Sequence, residues 1–168
     1  MASFLNAEQQ ALAHEIGSLL SGRGETIAVA EATAGGLISA ALLSVPGASR
    51  YYAGGAVVYT RNSRIMLAGV APEELVSYRG STAEMIVALA DSMRRRLGAT
   101  WCLAESGVAG PTGSRPGRTV VGIAGPVSRS EAIETGLVER EANMMEFTTR
   151  SLRALRDALR EAGPQPQR

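Results

Sequence analysis

Two stretches, "VAEATAGG" at 29–36 and "LAESGVAGPTG" at 103–113, share one pattern: an apolar run ends in Ala-Glu and then turns into small, hydroxyl-bearing or glycine residues. Glycines let backbone N–H groups approach a ligand closely and point at it. A strand that feeds a glycine pair and then a helix is a common place to hold a phosphate or an oxyanion. The carboxylates nearest such a pocket are Glu31 and Glu105. Paired carboxylates suit acid–base work, a metal or a ribose hydroxyl; the alternative is one solvated carboxylate and one that caps a helix N-terminus. Each loop alone is equally well a structural turn. The two together, with a glycine-rich segment between them, point to a pocket.

Ser49, Tyr59, Asn62 and Arg64 form a third cluster. A serine needs a base to act as a nucleophile. All 17 cationic side chains are arginine, and there is no lysine. Arginine stays protonated at physiological pH and is a poor general base, although it can clamp a phosphate or a carboxylate. The one histidine, His14, lies in a helical pattern near the N-terminus and cannot build a histidine metal site alone. The one cysteine, Cys102, excludes an internal disulfide and reads as a buried, inert thiol in "ATWCLAE". No metal site is expected.

The elements that must position these groups can be read in order. Asn6 precedes "AEQQALAHEIGSLL" with Gln9 three residues on, a capping-box start, and Leu12, Ile16, Leu19 and Leu20 make a helical stripe. "TIAVA" reads as a strand, and a helix follows from Gly35 to the turn at Pro46-Gly47. "YYAGGAVVYT" reads as a strand, with Gly54 and Gly55 marking a bulge or a close backbone approach. A short helix capped by Asn62, a helical turn over 71–80 begun at Pro72, and a helix opened by Thr82 come next. The last of these shows Ile86, Leu89, Met93 and Leu97 on one face and stops at Gly98. "TWCLAE" is a buried strand, 106–118 a long glycine- and proline-rich loop, and "TVVGIAG" and "EAIETGLVE" two further strands, in the manner of a hairpin. A final helix starts near Asn143, with Leu152, Leu155 and Leu159 on one face. The alternation predicts one α/β domain over 1–162, with helices covering a mixed sheet, and a frayed tail at 163–168.

The chain has 168 residues and a formal net charge of +1, so it carries no strong field for nucleic acid or an anionic membrane. Arginine-rich stretches such as "MRRRLG" and "RSLRALRDALR" read as solvated helix faces. No leader pattern is visible and no apolar run approaches membrane-spanning length, so a cytoplasmic protein is expected.

Four landmarks, "AEATAGGLISAALLSVPGAS", "GGAVVYTRNSRIMLAGV", "RRRLGA" before an apolar strand, and "SGVAGPTG", resemble in order and spacing the CinA C-terminal domain family. The resemblance runs from about Asn6 to about Leu159. Its active members are nicotinamide-nucleotide amidohydrolases, which convert nicotinamide mononucleotide to nicotinic acid mononucleotide and ammonia. The resemblance implies a three-layer α/β/α sandwich with a mixed, mostly parallel sheet of about five strands. It also implies no required cofactor, a small nucleotide ligand and a homo-oligomer. The proposed family chemistry uses a serine nucleophile assisted by a lysine and neighbouring hydroxyls, with backbone N–H groups on the oxyanion.

The family motif resembles Ala-Glu-Ser-Cys-Thr-Gly-Gly; Ala30, Glu31, Gly35 and Gly36 match, while Ala32, Thr33 and Ala34 stand at its serine, cysteine and threonine. Ser49 matches the last serine of Gly-Ser-Ser, Tyr59 and Asn62 survive from Tyr-Ser-Asn-x-x-Lys, and Arg64 falls on or next to the lysine. Ser106, Gly107, Ala109, Gly110 and Pro111 match a Ser/Thr-Gly-Ile-Ala-Gly-Pro loop, where Glu105 replaces a usually apolar residue. A family Gly-Asp-Arg corresponds roughly to "REAN", with Arg140 nearby. Three readings follow. In the first, Ser49 is the nucleophile of an amidohydrolase, and Tyr59 or a carboxylate helps to move its proton. Glu31, Thr33, Gly35, Gly36, Asn62, Arg64, Ser106, Gly107 and Gly110 then line the ligand. In the second, a non-catalytic relative keeps a nucleotide-shaped pocket. In the third, Glu31 and Glu105 form a new acid–base or metal pair.

Overall fold

The computed structural model describes residues 2–76 and 81–166. Its centre is a five-stranded sheet in the order β2-β1-β3-β4-β5, built from β1 (Ile27–Glu31), β2 (Tyr52–Val57), β3 (Trp101–Val108), β4 (Arg118–Ala124) and β5 (Arg129–Glu134). The pairs β2–β1 and β1–β3 are parallel, and β3–β4 and β4–β5 are antiparallel. Helices α1 (Ala7–Arg23), α2 (Leu37–Leu43) and α5 (Arg140–Ala162) cover one face; α3 (Arg61–Met66) and α4 (Ala83–Leu97) cover the other.

Both faces of β1 and β3 are buried, which explains why they read as unbroken apolar runs. Side chains alternate across the sheet. Ile27, Val29, Trp101 and Leu103 enter the core under α1, α2 and α5, whereas Ala28, Ala30, Cys102 and Ala104 enter the core under α4. Burial pushes the Cys102 thiol well above its ordinary range, consistent with an inert side chain.

The capping box of α1 is present, and its Gln9 does double duty. The Gln9 carboxamide accepts from the Asn6 N–H and donates to the Met145 carbonyl and the Thr149 hydroxyl, each at 3.1 Å, tying α1 to α5. The register of β1 against β2 slips between Ile27 and Ala28, so Ala53 is bulged beside Gly54. At Gly55 a Cβ would lie 2.9 Å from the Val29 carbonyl oxygen, the close backbone approach the glycine pair predicts.

Several local expectations change, among them the end of β5, at Glu134 instead of Glu139. The cap of α3 is Thr60, in a reciprocal pair with Ser63, and Asn62 sits exposed in the first turn. Thr60 lies one residue ahead of the first helical N–H groups, so its hydroxyl reaches the third of them, which the Asn62 side chain cannot. Leu97 is 40% exposed at the end of α4, resting on Gly54 instead of the core. β3 does not stop at Glu105 but runs on through Ser106, Gly107 and Val108, because β4 pairs with it to the end. Helix α5 begins at Arg140, three residues before the expected Asn143. The end of the expected helical turn at 71–80 lies outside the described residues; the part that is described is a 3-10 turn over Pro72–Leu75. At the other end of the chain, the Gln165 N–H donates to the Glu25 carboxylate at 3.2 Å.

Candidate functional site

The glycine-rich segment after β1 is occupied by the protein's own carboxylates. Glu31 is fully buried and accepts from the Ile38 N–H at 3.0 Å, the Ser39 N–H at 2.9 Å and the Ser39 hydroxyl at 2.6 Å. It therefore serves the open N–H groups at the start of α2, whose own cap residue, Gly36, has no side chain to do so. Glu105 is the register neighbour of Glu31 on β3 and is also fully buried. Its Oε2 accepts from the Ala32 N–H at 3.3 Å and the Ala34 N–H at 2.9 Å. Its Oε1 meets the Thr33 hydroxyl and, at 2.5 Å, the Thr119 hydroxyl of β4. Burial pushes the Glu105 carboxyl above the usual carboxylate range, against the opposing hydrogen bonds from Thr119, Thr33 and the two amides. In this arrangement Glu31, Thr33 and Glu105 hold the turn closed and face inward.

Strand alternation sends the next residue to the opposite face. Ser106 points toward α3 and α4, where it accepts from the Arg64 guanidinium at 2.7 Å. The Arg64 Nε also donates to the Val58 carbonyl at 3.2 Å, and its side chain is buried. A narrow cleft beside it is lined by Arg64, Val70, Glu74, Leu75, Met85, Ala88 and Leu89. Arg64 and Ser106 are thus brought together, on the face opposite Glu31 and Thr33.

Gly107 has a packing reason to be glycine. A Cβ there would lie 2.2 Å from the Arg118 carbonyl oxygen and 2.5 Å from the Thr119 Cα, both backbone atoms of β4. Gly107→Ala is expected to destabilise the fold by roughly 3 kcal/mol or more, as overpacking against backbone does at its upper end. Chemical denaturation measures this; a loss under about 1 kcal/mol would show that β4 yields easily.

The exposed rim lies at the carboxyl ends of β1, β2 and β3, the usual ligand-binding end of an α/β sheet. Gly35 is exposed there with φ +68°, and Gly36 follows with φ +100°. Tyr59, 56% exposed, stands at the exit of β2. Its hydroxyl accepts from Arg140 at 3.2 Å, and Arg140 also donates to the Gly110 carbonyl at 3.0 Å. Arg140 makes no ion pair among the described residues and opens the 23-residue α5. The buried Asn143 fixes this corner: its amide donates to the Ala109 carbonyl at 2.8 Å and the Leu137 carbonyl at 3.1 Å, and its Oδ1 accepts from Thr135 at 2.5 Å. Sequence reasoning missed Asn143 as an anchor. Its only signal was an asparagine at the expected start of a helix, where the residue type is common without any anchoring role.

Ser49 is elsewhere. It lies exposed in a 3-10 turn, Ala48–Arg50, that feeds the start of β2. The Tyr51 carbonyl meets the Ile27 N–H at the beginning of β1. Six strand residues at about 3.3 Å each separate this end from Tyr59, or about 20 Å. One chain does not bring Ser49 to Tyr59, Arg64 or Ser106. Among the described residues, no group of three or more His, Cys, Asp or Glu side chains is placed to hold a metal, and no helix is long and apolar enough to cross a membrane.

Comparison with known proteins agrees with this architecture. Residues 9–159 match the CinA C-terminal domain family, so the chain belongs to that family. It is 43% identical over 118 residues to a CinA-like protein of Acidobacterium capsulatum, covering 70% of this chain and 28% of that one. It is 37% identical over 158 residues to a CinA-like protein of Desulfosudis oleivorans, covering 89% of this chain and 37% of that one. The chain thus spans about a third of the length of these curated relatives. The fold matches the crystal structure of competence/damage inducible protein CihA from Agrobacterium tumefaciens, with a TM-score of 0.88 and 24% identity over 95% of this chain and 99% of that one. A CinA superfamily protein from Enterobacter cloacae matches with a TM-score of 0.83 and 24% identity over the same shares. At these identities the two structures speak for the fold alone.

Proposed function

We propose that this CinA-family chain, related to the nicotinamide mononucleotide deamidases it resembles, binds a nucleotide of that kind at the rim formed by Gly35, Gly36, Tyr59, Gly110 and Arg140. The observation that carries the reading is Arg140. Its guanidinium is oriented by two neutral oxygens, those of Tyr59 and Gly110, and faces no carboxylate at ion-pair distance among the described residues. A cation so held, at the start of a long helix, favours a phosphate. Gly35 is exposed at the same end of the sheet, next to Met144 of α5, one turn on from Arg140. No cofactor is invoked.

Binding without turnover is the reading that the single chain supports best. The turn after β1 gives its amides to Glu105 and Glu31, and no hydrogen bond joins Ser49 to a base among the described residues. Amide hydrolysis by Ser49 is a second reading, favoured by one observation: its hydroxyl is exposed and has no hydrogen-bond partner among the described residues. Nicotinamide mononucleotide titrated by calorimetry should bind, and Arg140→Ala should weaken it about tenfold or more, as loss of a charge-assisted contact does. Equal affinity in the variant would remove Arg140 from the site. An ammonia-release assay separates the two readings: background rates leave binding alone, and a rate abolished by Ser49→Ala establishes the amidase.

A further inference from the structure

The rim carries apolar groups that a phosphate on Arg140 does not use. Arg140 and Met144 stand one turn apart on α5 and so share a face of the helix. The Met144 side chain lies against Gly35, where a Cβ would fall 2.9 Å from the Met144 Cε. Val57, 45% exposed at the end of β2, has its Cγ2 3.8 Å from the place of a Cβ on Gly36. Tyr59, two residues on and also exposed, is held at its hydroxyl by Arg140. A thioether and a branched aliphatic group pack against a flat ring without hydrogen-bonding its edge. An aromatic side chain stacks on any base, because every base has a π-face.

The groups of the turn that could read a base edge are engaged inside the protein. Glu31 and Glu105 are fully buried and Thr33 nearly so, and each is hydrogen-bonded internally. Ala32 and Ala34 carry methyl groups where the family motif carries hydroxyls, and their N–H groups bond to Glu105.

We propose that this rim takes nucleoside 5′-monophosphates as a class: Arg140 holds the phosphate, and Met144, Val57 and Tyr59 hold the base as a flat ring whose edge goes unread. The inference rests on the reading of Arg140 as the phosphate contact. A site built to hydrogen-bond a substituent rejects the analogue lacking it by about 10⁴-fold or more, whereas stacking tolerates every base. The carboxamide of nicotinamide mononucleotide therefore adds little to its affinity here. The flexible Met144 side chain adapts to rings of different size.

Calorimetry on the full chain tests this with nicotinamide mononucleotide, nicotinic acid mononucleotide and adenosine 5′-monophosphate, beside nicotinamide riboside and ribose 5-phosphate. The three monophosphates should bind within about tenfold of one another. The riboside, which lacks the phosphate, and ribose 5-phosphate, which lacks the base, should each bind more than about tenfold more weakly, the latter read by displacement of a bound monophosphate. Met144→Ala should weaken all three monophosphates by a common factor of about three or more and leave ribose 5-phosphate unchanged, and Met144→Leu should restore them. A Met144→Ala protein in which no affinity changes, or ribose 5-phosphate weakens equally, removes Met144 from ring recognition and overturns the assignment. A preference above about tenfold for nicotinamide mononucleotide means that the carboxamide is read; it overturns the class-wide specificity and leaves the nucleotide site standing. If none of the three monophosphates binds, the nucleotide reading itself falls.

Discussion

Replacing Glu31 by alanine is expected to lower the unfolding free energy by roughly 3 to 5 kcal/mol, a large share of what a domain of this size has. The carboxylate serves two N–H groups of the first turn of α2 and the Ser39 hydroxyl, and it is fully buried. Alanine would leave those donors without a partner and without water, and an unsatisfied buried donor costs about 1 to 3 kcal/mol. Glu31→Gln keeps one acceptor oxygen and should lose about half as much. Urea denaturation of the three proteins measures the series. A Glu31→Ala protein within about 1 kcal/mol of wild type would mean that α2 finds another cap, and the inward role of Glu31 would fall.

The second large effect is the pH dependence set by Glu105. Its folded-state pKa is raised, chiefly by burial. A carboxyl with a raised folded pKa is bound to its proton more tightly in the native state than in the unfolded one. Its contribution to stability is therefore fully present below the unfolded value of about 4.5 and is lost as pH rises through the folded value. Burial outweighs four hydrogen bonds that favour the ionised form, and the geometry still leaves room for the proton. Oε2 faces two fixed N–H donors, while Oε1 faces two hydroxyls that can rotate to accept a proton. Glutamine reproduces this set, its oxygen toward Ala32 and Ala34 and its amide toward Thr33 and Thr119. Wild-type stability minus Glu105→Gln stability should accordingly be greatest in acid and fall toward alkaline pH, with contributions from other groups cancelling. A difference that grows as pH rises would show that the native state prefers the ionised carboxylate.

The two carboxylates also explain what became of the hydroxyls that the family pattern carries in this turn. Ala32 and Ala34 bury methyl groups, and their backbone N–H groups are taken by Glu105. Polarity that the motif places on the turn is here supplied by the neighbouring strand. The turn keeps its shape because Glu105 binds it from inside, and its open surface is reduced to the glycine pair.

Much of the fold was legible in the sequence. The Asn6–Gln9 box, the Thr82 and Gly98 ends of α4 and the buried runs of β1 and β3 are local signals, fixed by capping chemistry and by residues that avoid water whatever surrounds them. The Ala-Glu strand endings and the exposed Tyr59 were legible as residue types and as family landmarks. Their directions were not. Whether Ser106 belongs to a loop or a strand depends on whether β4 pairs with it, and that pairing joins segments whose separation no local pattern encodes. Once the strand continues, alternation puts Glu105 and Ser106 on opposite faces, Thr33 with one and Arg64 with the other. The same is true of Ser49: ten residues before Tyr59 in the chain, it is placed at the far end of the sheet by the extended length of β2. The sequence by itself determined the elements, the family and the stock of polar groups, because these follow from local chemistry. Only the tertiary structure decided which groups face one another, because strand pairing and register are long-range choices made by burial on two faces at once.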